Sequence, residues 1–292
     1  MLALNELQEL AQQAGFDACG ATAACPLPDD SAFVAKWIRT GHHGTMDYLA
    51  RNAPLREDIR QLVPGATTVI VCLLSYYKTE RQPVGAPHIA MCGLSKNDYH
   101  EVVKHRLSLL EQLLKTRVGD NGFNNERQHL FCDSAPVFER RWAQRAGLGW
   151  IGRNKLLIHP TLGSFVHIGI LVMNTPMEDY SEPTTDQCGE CRACLRACPT
   201  GALRCEMFDA RRCVSYLTIE RKEPLEEQWL PAVKDVLYGC DCCQTACPHN
   251  QGLQPAGHEE LVANPAFLTM TKADWESTSR RQKQRLLHRL AK

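Results

Sequence analysis

Hydrophobic positions in the first part of the chain recur at two periods, one helical and one extended. Leu4, Leu7, Ala11 and Ala14 share a helical face and predict an amphipathic helix ending near Gly15. Residues 67–74 (TTVIVCLL) are rich in β-branched side chains and follow Pro64-Gly65, the pattern of a buried strand. Val102, Val103, Leu107, Leu110 and Leu114 form one stripe of a helix over about 99–117. Residues 129–132 and 166–173 read as further strands, the first delivering Asp133 at its carboxyl end. Residues 137–146 are predicted helical, stopping at Gly147-Leu148-Gly149. Helices and strands thus alternate, predicting an α/β or α+β domain over residues 1–180. Residues 175–186 carry two prolines, several acids and little periodicity, and read as a linker.

With 292 residues, 44% of them hydrophobic, the chain can bury a substantial core and divide into two domains. No apolar run approaches twenty residues, so no membrane-spanning segment is expected. The N-terminus shows no basic segment, apolar core and small-residue cleavage site, which points to a reducing, cytoplasmic setting. Formal net charge is zero and offers no whole-protein argument for nucleic acid. Charge is nonetheless uneven: residues 280–292 hold Arg280, Arg281, Lys283, Arg285, Arg289 and Lys292 with no acid. Such a run is commonly a solvated helical face, and it can also sit against phosphates.

The cysteines change the picture most. Cys188-x2-Cys191-x2-Cys194-x3-Cys198-Pro199 is followed some forty residues later by Cys240-x2-Cys243-x3-Cys247-Pro248. The first run is the bacterial ferredoxin pattern, whose fourth cysteine ligates the other of two clusters. Structural zinc favours two Cys or Cys/His pairs far apart, and disulfides need an oxidising compartment, so two [4Fe–4S] clusters are predicted. The second motif lacks a cysteine three residues before Cys240, where Leu237 stands, and must recruit one from Cys205, Cys213 or Cys242. Cys213 has the slack to reach. The expected sets are Cys188, Cys191, Cys194 and Cys247 on one cluster, with Cys198, Cys213, Cys240 and Cys243 on the other. Cys19, Cys25, Cys72, Cys92, Cys132, Cys205 and Cys242 read as small hydrophobes. A domain over 181–255 is thus expected to resemble a two-cluster ferredoxin, with a basic helical tail over 256–292.

A two-cluster ferredoxin needs only about 60 residues, so the preceding 180 should hold something that consumes electrons. No Walker A motif is present, and Gly147-Leu148-Gly149-Trp150-Ile151-Gly152 matches the dinucleotide fingerprint by letter but follows a helical pattern. The blocks Asp133-Ser134-Ala135-Pro136, Glu139-Arg140 and Ala146-Gly147-Leu148-Gly149-Trp150-Ile151-Gly152-Arg153-Asn154 resemble epoxyqueuosine reductases. So do Gly44-Thr45-Met46-Asp47-Tyr48, Leu62-Val63-Pro64-Gly65-Ala66, Asp98-Tyr99-His100, Gly163-Ser164, Cys213-Val214-Ser215-Tyr216-Leu217-Thr218-Ile219-Glu220 and Tyr238-Gly239-Cys240-Asp241. These matches run in order along most of the chain.

The resemblance implies a cobalamin-dependent oxidoreductase related to reductive dehalogenases, reducing epoxyqueuosine in tRNA to queuosine. Cobalamin would occupy the N-terminal domain beside one cluster, with no protein ligand to cobalt. An external low-potential donor of ferredoxin or flavodoxin type would load the clusters, and the protein would work as a monomer. Asp133 matches the family's proton donor. Epoxide reduction takes two electrons and leaves an alkoxide that must be protonated, which suits a carboxylic acid at that place. Its position beside a buried run predicts a raised pKa; Asp-Ser-Ala-Pro is equally a good helix start, which would make Asp133 an N-cap. Arg56, Leu157, Ile168, Glu220 and Asp241 fall where the family touches cobalamin, and Lys222 where it contacts tRNA.

The chain departs from the family pattern in places. Met91-Cys92-Gly93-Leu94-Ser95 replaces an arginine–tyrosine pair, Gly169-Ile170 replaces Gly-Glu, and Cys247-Pro248-His249-Asn250 has histidine for tryptophan. The helical-repeat extension of longer members is missing. The first two changes are expected near the active face and leave open a small-molecule substrate. A non-catalytic electron carrier is the other alternative, distinguished by a lack of any substrate recess at Asp133.

Overall fold

The computed structural model describes residues 1–123, 129–204, 207–279, 281–283 and 286. Its centre is a four-stranded antiparallel sheet of β1 (Ala18–Ala23), β2 (Thr68–Ser75), β4 (Leu130–Phe131) and β7 (Val166–Met173), in the order β1-β2-β7-β4. The N-terminal part is therefore α+β rather than a parallel α/β sheet. β2 is buried along its whole length, because helices cover both faces of the sheet. Its side chains alternate accordingly: Ile70, Cys72 and Leu74 enter one core, and Val69, Val71 and Leu73 the other.

The first face carries α1 (Leu4–Gln13) and the long helix α3 (Tyr99–Val118). Leu107, Leu110 and Leu114 of α3 are fully buried there. The helix lies so close to β7 that a Cβ on Gly169 would stand 2.8 Å from Val103 Cγ1. The second face carries α4 (Glu139–Arg145), with Trp142 and Ala143 buried against Val71, Phe131 and Ile170. Ile170 is wholly buried in this second core, so it is a packing residue and does not lie at an open face as expected. Between them, α2 (Pro28–Arg39) buries no residue fully.

Two features join the cysteine-rich part to this body. Parallel pairing of β3 (His88–Ile89) with β8 (Val236–Tyr238) leads into the Met91 N–H bond to Asp241 Oδ2 at 2.7 Å. Gly239, at φ +69°, allows the approach, since a Cβ there would meet Ala90 at 2.6 Å. On the other side, Ser164 N–H donates to Asn250 Oδ1 at 2.7 Å, and Asn250 Nδ2 donates to Ser164 Oγ at 2.8 Å. The small hairpin of β5 (Trp150–Ile151) and β6 (Leu157–Ile158) packs beside Cys188 and Cys247.

The segment 175–186 has no regular structure, yet it is tied down: Ser181 exchanges bonds with both backbone groups of Ala21. Residues 256–277 dock on the body instead of forming a free tail. Leu261 enters the first core, and Phe267 packs with Ile89 and Leu94. Arg280, Arg285, Arg289, Lys292 and Cys205 lie outside the described residues.

Candidate active site

Asp133 follows β4 directly and adopts φ +58°, a left-handed conformation that costs a non-glycine residue roughly 1–2 kcal/mol. Such outliers concentrate at functional sites because the surroundings must hold them in place. What holds this one is Glu139, whose Oε1 accepts the Asp133 N–H at 2.5 Å from the first turn of α4. The helix itself begins at Glu139 after Phe138, so Asp133 is not a helix cap.

The Asp133 side chain is 63% exposed, and its Oδ2 accepts from Tyr99 OH at 2.8 Å. His100 Nε2 lies 3.3 Å from the same oxygen, while its Nδ1 lies 2.7 Å from Asp98 Oδ1. Asp98 caps α3 by accepting the His100 N–H, so one helix start fixes the whole chain Asp98–His100–Asp133. Tyr99 is held by stacking on His100 and on His167, each at 4.0 Å between ring centres.

These contacts reverse the expected pKa of Asp133. The His100 hydrogen bond, ahead of the opposing effect of burial, holds its carboxyl below the usual carboxylate range. His100 is raised in turn, chiefly by its bond to Asp133. The protonated carboxyl in this corner is instead Glu139, pushed up to about 8 by burial and then by the Asp133 charge. Burial takes His167 down to about 3, which keeps its ring neutral, and its Nε2 is buried without a hydrogen-bond partner among the described residues.

Residues of the cysteine-rich part and Tyr48, at the start of a one-turn helix (Tyr48–Arg51), lie within electrostatic reach of Asp133. Glu220 ends helix α6 (Val214–Ile219); burial, then the Asp133 charge, raises its carboxyl, and it bonds Tyr48. Tyr238 is raised by burial and feels Cys92, Asp133 and Glu220. The Gly44-Thr45 block meets the α6 block directly, since Thr45 N–H donates to Tyr216 OH at 2.9 Å.

The remaining sequence-derived positions are scattered more widely. Asp241 is buried under Met91, its carboxyl raised by burial, close to Cys92, which burial pushes up to about 12. Arg56 is buried and donates to the Leu49 and Tyr48 carbonyls, clipping the Tyr48 loop. Leu157 and Ile168 lie in the second core, which also contains Phe131, Ala135 and Val137 flanking Asp133. Lys222 is exposed two residues beyond Glu220. Lys78 has no counterpart in the sequence reading. Its Nζ is buried, bonds Ser95 Oγ at 3.1 Å, and falls to about 8 through desolvation.

The eight cysteines gather in two groups. Cys188, Cys191, Cys194 and Cys247 line one cavity of about 150 Å³, with Arg153, Asn154, Ile158, Pro248 and His249. Trp150 Nε1 points at Cys188 Sγ, 3.4 Å away, and stands edge-on to His249 at 4.8 Å between ring centres. Cys198, Cys213 and Cys243 pack together in one apolar cluster. Burial first, then the neighbouring Cys213, pushes the Cys243 thiol up to about 12. Cys240 is half-buried beside the exposed Cys242, whose thiol its neighbour Cys240 lowers to about 7. Among the described residues no three His, Cys, Asp or Glu side chains converge tightly enough to hold a single ion. Facing thiols spread around a cavity suit a multi-iron group.

Two family models match the chain. One described as "Epoxyqueuosine reductase QueG, DUF1730" matches residues 56–134, and a "4Fe-4S double cluster binding domain" matches residues 187–250. An epoxyqueuosine reductase of Leadbetterella byssophila is 37% identical over 93% of this chain and 87% of its own length. The chain belongs to the epoxyqueuosine reductase family. Another epoxyqueuosine reductase, from Vibrio cholerae, is 35% identical over 85% of this chain and 67% of its own length. A crystal structure of a selenomethionine-labelled epoxyqueuosine reductase superposes with a TM-score of 0.84 at 29% identity, covering 98% of this chain and 75% of that one. An epoxyqueuosine reductase bound to a tRNA-Tyr stem loop carrying the epoxyqueuosine modification gives 0.78 at 27% identity, covering 98% and 79%. In a further member, from Bacillus subtilis (TM-score 0.81, 28% identity, 98% and 75% covered), the loop of the catalytic aspartate is swung out of the active site.

Proposed function

We propose that this protein reduces epoxyqueuosine in tRNA to queuosine at the cleft over Asp133. The observation that carries the reading is the Asp98–His100–Asp133 chain, with Tyr99, at an exposed Asp133 that senses the charge of Glu220 in the cysteine-rich part. Cys188, Cys191, Cys194 and Cys247 would hold one [4Fe–4S] cluster and Cys198, Cys213, Cys240 and Cys243 the second. When bound, the clusters supply electrons one at a time, and cobalamin supplies a metal that passes them to the strained ring.

Two features fit an amide-edged macrocycle: the Glu220 carboxyl, half-buried on the rim as an acceptor, and the unpartnered His167 Nε2 behind Tyr99. Glu220 and Asp241 would face it from the cysteine-rich side, Leu157 and Ile168 from the apolar side. Arg56 would act through the Tyr48 loop it holds. Lys222 lies where a phosphate of the anticodon stem loop would meet the rim.

The chain's own residues handle the proton. His100 stores it at Nε2, and Asp133, in hydrogen-bond reach of both His100 and the open cleft, passes it to the leaving oxygen. Tyr99 fixes the acceptor oxygen between them. A carboxylate held low and an imidazole held high make a matched pair for this transfer.

Turnover tests the reading. Anaerobically reconstituted protein is given a strong reductant and epoxyqueuosine-containing tRNA, with and without cobalamin, and the nucleosides are analysed by mass spectrometry. Queuosine is expected only with cobalamin. None, with cobalamin demonstrably bound, removes the substrate and leaves a corrinoid reductase of another kind.

A further inference from the structure

We propose that the loop carrying Cys188 and Cys191, with the arginines around it, is the docking face for a small acidic one-electron carrier protein. The inference rests on the reading of the cysteines as cluster ligands and on no assumption about tRNA.

The two cysteine groups differ in their access to solvent. Cys191 is exposed and Cys188 half-exposed, on a loop whose Gly189, Glu190 and Arg192 are also exposed. Cys194 and Cys247 of the first group are buried, as is Cys198 of the second, but no cysteine of the second group is exposed as Cys191 is: Cys213, Cys240 and Cys243 are half-buried, and the group adjoins Asp241 and the pairing of Ala90 with Tyr238. Trp150, fully buried, closes the inner side of the first group. Electron transfer falls steeply with distance, so an electron from outside enters through the exposed loop and moves inward to the second group.

Charge identifies the partner. Arg192, Arg196 and Arg204 are exposed around this loop, and Arg153 Nη2 donates to Gly189 O at 2.6 Å along its edge. Arg204 lies over helix α5 (Ala193–Ala197), donating to the Leu195 and Arg196 carbonyls. Asp186 and Glu190 are the acids nearest in sequence, and Asp186 already accepts the Cys188 N–H. The positive excess is local, since the protein as a whole carries no net charge. No large exposed hydrophobic side chain stands among the described residues of 186–204. A charged patch without an apolar centre suits brief, salt-sensitive encounters, which is how one-electron carriers dock and leave. In the encounter the carrier loses one electron and the cysteine-held cluster gains it, with no proton or group moved.

The test uses cluster-loaded protein without cobalamin or tRNA. Binding of oxidised acidic flavodoxin and ferredoxin is measured across ionic strength, and cluster reduction by each reduced carrier is followed by stopped-flow absorbance. Arg192→Glu and Arg196→Glu are expected to weaken binding and slow reduction by about 10-fold or more at low salt, with the Gln variants intermediate. Reduction by the methyl viologen radical cation should not slow in any variant. If a Glu variant fails to take up iron, the Gln variants and the salt dependence decide. Unchanged binding and reduction in the variants with both carriers overturns the proposal. So does a loss confined to binding of a tRNA stem loop, which would make the patch an RNA surface. Loss of queuosine formation in the turnover assay, with carrier binding intact, would count against the proposed function and not against this face.

Discussion

A carboxylate within hydrogen-bond reach of an imidazole, and exposed to solvent, is the smallest unit on which the proposed chemistry depends. Replacing Asp133 by Asn removes the proposed proton donor while keeping its size and an oxygen to accept from Tyr99. Turnover is expected to fall by about 10²–10⁴-fold, the usual worth of a placed proton donor. Iron content and thermal midpoint should hold; mass spectrometry of the nucleosides and an iron assay read the two. The partner is tested by pH. His100 has its pKa raised in the folded protein, so its proton is held below the unfolded value and lost as pH rises through the raised one. The alkaline limb of kcat/KM should therefore lie above the ordinary imidazole range, and His100→Gln should abolish it. An unchanged limb would assign it to another group. Asp133 was legible as a strand-end acid, but its low pKa was not. The cause, His100, comes from 33 residues upstream and meets Asp133 only through packing of α3 on the sheet.

At the scale of elements, the Asp133 loop is strained and latched by a half-buried carboxyl on the first turn of α4. Folding raises the Glu139 pKa from the ordinary glutamate value to about 8, so the folded form takes up a proton. Its contribution to stability is complete below the unfolded value and is lost as pH rises through about 8. Glu139→Gln keeps an oxygen to accept the Asp133 N–H and removes the ionisation. Its thermal midpoint should gain on the wild type between pH 5 and pH 8, by about 2–4 °C for each kcal/mol of ionisation cost. A flat difference would mean that this carboxyl is not desolvated. The long buried elements were legible because their patterns are set by packing on both faces of one sheet: β7 spans Val166–Met173 and α3 Tyr99–Val118. β1 was not read, since Ala18–Ala23 is made of small residues without alternation. Nor was α2, which buries no full face. The antiparallel order was beyond reach too, because strand direction lies in the connections.

For the molecule as a whole, the decisive question is how two cysteine motifs too short to stand apart are joined. The first run sends Cys198 toward Cys213 and Cys243, while Cys247 of the second motif returns to line the cavity of Cys188, Cys191 and Cys194. Spacing suggested this exchange and offered Cys213 as the recruit; the structure places Cys213 after a 3₁₀ turn (Ala210–Arg212) and against Cys198 and Cys243, and its role as a ligand is a proposal. What spacing could not give is how the exchange is anchored to the catalytic body, through Ser164 with Asn250 and through Met91 with Asp241. Cys213→Ser should therefore remove one cluster, roughly halving the iron per chain, while the first group keeps its four ligands. Cys242→Ser is the contrasting change. Its thiol is exposed and lies outside the proposed sets, so iron content should stay whole. Iron and sulfide assays with electron paramagnetic resonance of the reduced protein read both. Full iron in Cys213→Ser, with loss in Cys242→Ser, would reassign the fourth ligand to the residue between Cys240 and Cys243. It would also place the second cluster nearer the surface, weakening the inward route for electrons to the Asp133 cleft.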